Sequence, residues 1–152
     1  MPHETFYAGY LISDDPLRVD VEAVHGYLTR SYWAAGIPRE VVARSLENSL
    51  CLGIYTEAGE QVGLIRVVTD SATFAYLCDV YVLESHRGRG LSKAAMALLT
   101  SHPRLQGLRR WHLLTQDAQG LYAQFGFSVV ARTERHMEKL DAMAYPRSVA
   151  KS

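Results

Sequence analysis

The sequence predicts an α/β fold: a mixed, mostly antiparallel central sheet flanked by helices on both faces. Three observations predict it. Strand-like and helix-like segments follow one another in the order β-α-α-β-β-β-α-β-α-β. Two of the strands are joined by a short turn with a central glycine, which makes that part of the sheet antiparallel. One apolar run without a polar face, Thr73–Leu83, leads through glycines into a helix, as a strand covered on both sides does.

The first strand is expected over "TFYAGYLIS" (Thr5–Ser13), ended by Asp14, Asp15 and Pro16. Asp20 suits the cap of a helix that carries Val21, Val24, His25, Leu28 and Tyr32 on one stripe. Pro38 suits the first turn of the next helix, with Val41, Val42, Ser45 and Leu46 on its inner face. Leu50–Thr56 and Gln61–Thr69 read as strand, turn and strand, with Gly59 in the turn. After the central strand, Leu91, Ala94, Ala95, Leu98 and Leu99 recur at helical spacing and face a core. His102-Pro103 ends that helix. Arg109–Thr115 is a strand, and a short helix capped by Asp117 places Ala118, Leu121, Tyr122 and Phe125 on one face before Gly126. Phe127–Arg132 is expected as a further strand, and "HMEKL" (His136–Leu140) as a last one. The tail from Arg132 is the least patterned part.

A chain of 152 residues with 48% hydrophobic and 21% charged content is expected to form one domain with a real core. Sixteen basic residues balance sixteen acidic ones, so the surplus positive charge that non-specific nucleic-acid binding needs is missing. Cys51 and Cys78 lie in apolar surroundings and read as small core residues rather than a disulfide or metal pair. The six histidines are scattered without ligand spacing, so no metal is expected. No apolar stretch approaches the roughly 20 residues that span a bilayer, and the start has no basic segment followed by an apolar one. A cytoplasmic protein without a membrane partner is the expectation.

"SHRGRGLSKAAM" (Ser85–Met96) carries the chemistry. Gly88 and Gly90 stand between a buried strand and a helix, where the missing Cβ atoms let backbone amides approach a ligand. Those amides and the unpaired amides of the helix start form an anion site that the helix dipole strengthens. Arg87, Arg89 and Lys93 add mobile positive charge. The design suits a phosphate or diphosphate. A P-loop needs glycine before its lysine, and a dinucleotide fingerprint needs a third glycine at the position of Lys93. Neither requirement is met.

"RGRGLS" resembles the Arg/Gln-x-x-Gly-x-Gly/Ala signature of the GNAT superfamily of acyl-CoA-dependent N-acetyltransferases. Arg87 takes the first place and Gly90 the glycine, while Ser92 stands for the usual Gly or Ala. "TQDAQGLYAQFGF" resembles the family's second segment, Asn-x-x-Ala-x-x-Leu-Tyr-x-x-x-Gly-Phe. Ala118, Leu121, Tyr122, Gly126 and Phe127 are in register, and Thr115 replaces the asparagine. The likeness runs from Phe6 to about Leu140 and is nearest to small bacterial members whose central block reads like "ATFAYLCDVYVLESHRGRGL".

The resemblance implies a single acyl-CoA N-acyltransferase domain over residues 1–152 that uses acetyl-CoA as cosubstrate. It places the coenzyme on Val80, Tyr81 and Val82, on Arg87, Gly88, Arg89 and Gly90, on Leu91, Ser92 and Lys93, and at Thr115. In the family the strand before the loop splays from its neighbour at a bulge, which leaves backbone groups of Val80–Val82 free; one N–H there would hold the thioester carbonyl. An amine would attack the acetyl carbon directly and the coenzyme thiolate would leave.

Tyr122 would protonate that thiolate, or it is a core tyrosine on the apolar stripe of its helix; an aromatic body can pack while its hydroxyl serves the site. Asp79 is the first candidate base and Glu84 the second, with a buried, paired carboxylate as the alternative for Asp79 and a chain of waters as the alternative base. Tyr32, Trp33 and Tyr76 are candidates for the acceptor pocket, although packing is the commoner fate of such aromatics. Arg66 and Asp70 are weaker candidates. The acceptor is a small-molecule or peptide amine. A non-catalytic acyl-CoA sensor of the same fold is the alternative function. The resemblance admits a homodimer, but no exposed apolar stripe demands one.

Overall fold

The computed structural model describes residues 1–145. Where one strand is expected, there are two: β1 (Glu4–Tyr7) and β2 (Tyr10–Ser13) pair antiparallel. The break is Ala8-Gly9, with φ of 52° and 86°, the left-handed pair that a tight two-residue hairpin turn requires. α1 (Val21–Leu28) begins as expected at Asp20, whose carboxylate accepts the Ala23 N–H. It ends before Tyr32, so the stripe buries Val24 and Leu28 and leaves Tyr32 exposed. α2 (Arg39–Glu47) follows Pro38 and buries Val42 and Leu46.

β3 (Leu50–Tyr55), β4 (Gln61–Thr69) and β5 (Phe74–Val82) pair antiparallel in turn, with Gly59 at φ 89° in the first hairpin. α3 (Leu91–Thr100) then crosses to β6 (Arg110–Leu113), which runs parallel to β5. α4 (Gln119–Ala123) follows, and Gly126 ends it at φ 90°. The six strands of the described residues lie side by side in chain order. The single helix α3 returns the chain to the end where β5 began, so β6 is parallel; the pair α1 and α2 cancels itself, so β2 and β3 are antiparallel.

Alternation along the strands serves both faces. α1 and α2 pack Val24, Leu28, Val42 and Leu46 against Cys51, Leu64 and Tyr81. α3 and α4 pack Leu91, Met96, Leu99 and Tyr122 against Ile12, Leu52, Ile65 and Leu77 on the other face. Both cysteines are free thiols, and burial pushes Cys51 up to about 12. Among the described residues no helix is long and apolar enough to cross a membrane.

Two expected strands are not formed. Phe127–Arg132 and His136–Leu140 lie outside the sheet, which leaves β6 as its edge. Rings, not backbone, meet β6: Phe127 stands edge-on to Trp111 at 6.4 Å and His136 stacks on His112 at 5.6 Å. Openings of about 1040 and 880 Å³ are lined by residues of both β6 and this segment, so open space lies where a ladder would form. Val129 and Leu140 are exposed.

Among the described residues one buried side-chain group is unsatisfied. Tyr55 Oη has no hydrogen-bond partner among the described residues and lies against Gly53, where a Cβ would collide with it. An orphaned hydroxyl contributes only its desolvation cost, so Tyr55→Phe should leave stability unchanged or raise it by about 1 kcal/mol. The urea midpoint measures this; a clear fall would mean that the hydroxyl has a partner.

Candidate active site

The glycine loop is built from both sides. Gly88 and Gly90 take φ of 78° and 77°, values that strain a residue with a Cβ. Gly90 is the N-cap of α3 and no side chain caps the helix, so the amides of Leu91, Ser92 and Lys93 have no intrahelical acceptor. Arg89 and Lys93 are exposed.

Arg87 departs from expectation. Its Nε donates to the Val82 carbonyl at 2.8 Å and a terminal nitrogen donates to Tyr27 Oη at 3.1 Å. It is an anchor that ties the loop to β5 and α1 instead of a mobile charge. Tyr27 in turn stacks on Tyr81 with ring centroids 4.0 Å apart and carries the Arg30 guanidinium over its other side at 4.7 Å. Arg30 grips Glu84 with two bonds, at 3.0 and 3.3 Å. That hydrogen bonding holds the Glu84 carboxyl down at about 2, which makes Glu84 a poor base.

The strand before the loop is bulged and splayed. Arg66 of β4 faces Asp79, and the next residue, Val67, faces Leu77, so Cys78 is the extra residue. The last β5–β6 pair is Leu77 with Leu113. From Cys78 onward β5 keeps only β4 beside it. The Leu83 N–H donates to the Val62 carbonyl on β4; since backbone direction alternates, the N–H groups of Val80 and Val82 point away from β4. Arg87 already takes the Val82 carbonyl.

Tyr122 packs edge-on against Phe127 at 5.8 Å, and its ring is buried. Its hydroxyl has no partner among the described residues, and the side chain lines the opening of about 880 Å³ together with Tyr76, His112, Thr115 and Gln119. Burial, and to a smaller extent the Tyr32 phenol, push the Tyr122 hydroxyl upward, so it keeps its proton at neutral pH. The larger opening touches neither Tyr122 nor the glycine loop.

Asp79 takes the alternative of a buried, paired carboxylate. Its Oδ1 accepts Trp33 Nε1–H at 2.9 Å and its Oδ2 accepts Arg66 Nε–H at 2.6 Å, and Arg66 also reaches Ser49 Oγ at 3.1 Å. Burial alone would lower the Arg66 guanidinium; the adjacent Asp79 charge reverses this and raises it. Each Asp79 oxygen thus already accepts one hydrogen bond, and the side chain is buried. Trp33 is thereby oriented, and Tyr32 stands edge-on to it at 5.1 Å. Asp70 is a turn former: its carboxylate accepts the N–H groups of Ala72, Thr73 and Phe74. Asp117 does not cap α4: the N-cap is Ala118 and no side chain caps the helix, while Thr115 Oγ1 accepts the Ala118 N–H at 3.0 Å in the turn before it.

Two residues escape the sequence reading. Tyr7 lies against Gly90, where a Cβ would come within 2.9 Å of its hydroxyl; nothing in the first ten residues signals this. His112 pairs in register with Tyr76 across β5 and β6, and the two rings are 5.6 Å apart. Burial, then His136 and Arg110, lower its pKa, so the imidazole is neutral at pH 7. Its only signal is its place in the strand beside the splay. Among the described residues no group of three or more His, Cys, Asp or Glu side chains could hold a metal ion.

Residues 16–127 match the model of the acetyltransferase (GNAT) family. The chain is 35% identical to a candidate acetyltransferase of Gibberella zeae, over 76% of each chain. A crystal structure of a candidate GNAT-family acetyltransferase from Xanthomonas campestris pv. campestris is 44% identical, with a TM-score of 0.86 over 90% of this chain and 96% of that one. Glucosamine-6-phosphate N-acetyltransferase of Arabidopsis thaliana shares the fold at 18% identity, with a TM-score of 0.60 over 86% and 97% of the two chains.

Proposed function

The chain belongs to the GNAT acetyltransferase family, and on that premise we propose that it transfers the acetyl group of acetyl-CoA to a primary amine. The acceptor is a small molecule or a peptide, and transfer is direct within a ternary complex. The observation that carries this reading is the unpartnered Tyr122 hydroxyl beside the parting of β5 and β6. The cradle fits the coenzyme: two glycines in left-handed conformations lead into a helix whose first amides are uncapped, a site made for an anion.

In this reading Gly88, Gly90 and the amides of Leu91, Ser92 and Lys93 hold the diphosphate, and Arg87 holds the loop in shape. Acetyl-CoA, when bound, supplies the acetyl group as a thioester. The Val80 N–H binds the carbonyl oxygen as charge develops on it; the loss of such a donor costs about 3 kcal/mol of transition-state stabilisation. Tyr122 Oη gives its proton to the leaving thiolate. Asp79 orients Trp33 as a wall of the acceptor side, with Tyr32 and Tyr76 as further aromatic surface. His112, neutral and lining the same opening as Tyr122, is the proton acceptor that this geometry offers. The two free thiols suit a reducing, cytoplasmic setting.

A panel of amines with acetyl-CoA, followed by the appearance of free thiol, tests the reading. Amine-dependent thiol release with at least one acceptor is expected. Coenzyme binding without release on any amine would make the protein a sensor.

A further inference from the structure

The N-terminal hairpin lies along α3 and is fastened at both ends of that helix. At the C-terminal end the Arg104 N–H donates to His102 Nδ1 at 3.1 Å, so His102 Nε2–H is the donor to Asp14 Oδ2 at 2.7 Å. His3 Nε2 meets the Leu98 carbonyl there at 3.2 Å. At the other end Tyr10 Oη and His86 Nδ1 are 2.7 Å apart, which fixes the hairpin tip to the turn that enters the glycine loop.

These ties set Tyr7, the last residue of β1, against the cradle. A Cβ on Gly90 would lie 2.9 Å from Tyr7 Oη and 3.6 Å from two of its ring carbons. Gly90 therefore takes the left-handed turn with the Tyr7 hydroxyl close over it. Tyr7 is 44% exposed, and its hydroxyl has no hydrogen-bond partner among the described residues. Gly90, which it lies against, is the N-cap of α3 and directly precedes the uncapped amides of Leu91, Ser92 and Lys93. A hydroxyl donor beside a helix start whose first N–H donors are unpaired complements an oxyanion.

We propose that Tyr7 is a coenzyme-binding residue whose hydroxyl donates to a diphosphate oxygen of coenzyme A and closes the cradle from the hairpin side. This rests on the reading of the loop as the coenzyme site. The assignment extends that site to a residue about 80 positions before the motif, on an element that the loop signature does not include.

Titration calorimetry of the full chain tests it without turnover. Tyr7→Phe keeps the ring over Gly90 and removes only the donor. It should weaken coenzyme A roughly tenfold or more, the range for a hydrogen bond to a charged group. Dephospho-coenzyme A, which keeps the diphosphate, should lose the same factor, and pantetheine, which has no phosphate, should lose nothing. Coenzyme A bound equally by wild type and Tyr7→Phe overturns the proposal and leaves the loop assignment standing, as does an equal loss for pantetheine. A loss with coenzyme A but not with dephospho-coenzyme A moves the contact to the 3′-phosphate and overturns the diphosphate assignment. Folded wild-type protein that binds no coenzyme A removes the loop assignment and this proposal with it.

Discussion

Tyr122→Phe is expected to lower kcat by roughly a hundredfold or more, the contribution of a positioned general acid, and to leave coenzyme A affinity unchanged. The substitution removes one oxygen that no described residue uses, while the buried ring and its edge-on contact with Phe127 remain. Folding should therefore be intact, and the melting temperature of the variant checks that. The upward push on the phenol by burial keeps it protonated through neutral pH, as a donor to a leaving thiolate must be. Steady-state kinetics with the best amine of the panel, beside calorimetry with coenzyme A, separates the steps. An unaltered kcat would remove the acid role and return Tyr122 to the core; a matching loss of coenzyme affinity would make it a binding residue.

The largest effect on stability is expected at Arg66. Arg66→Met leaves the Asp79 carboxylate buried with only the Trp33 N–H beside it. Removal of one partner of a buried pair costs about 3–5 kcal/mol because the other charge stays behind. For a domain of this size that is a fall in melting temperature of roughly 6–20 °C. Arg66→Met with Asp79→Leu should recover most of the loss, since an apolar pair of similar bulk replaces the ion pair. Denaturant melts of the single and double variants decide it: equal losses would show that side-chain packing, not the stranded charge, holds this part of the sheet together.

The glycine loop was legible because its requirements are local. Gly88 and Gly90 take conformations that only a residue without Cβ takes easily, and the apolar spacing after Leu91 can bury only one face of a helix. The Asp20 cap was legible for the same reason, since a carboxylate three residues before a free amide acts on its own neighbours. The split of the first strand was missed because Ala8 occupies a left-handed position usually given to Gly, Asn or Asp. The strand at Phe127–Arg132 was expected from its composition, but composition does not state whether a neighbour's edge lies within hydrogen-bond reach.

The sequence by itself determined the family, the order of most elements and the glycine turn at the start of α3, all of which depend on dihedral preference, spacing or motif over a few residues. Only the tertiary structure decided what the charged and hydroxyl groups do. Trp33 and Asp79 are 46 residues apart in the chain, and their contact, with that of Arg66, pairs both oxygens of the expected base. Arg87 became an anchor because α1 delivers Tyr27 beside it, and Tyr7 reached Gly90 because the hairpin is tied to both ends of α3. A buried charge or an unpaired hydroxyl takes its role from whichever partner folding brings within about 3 Å, and that partner is chosen by packing far along the chain.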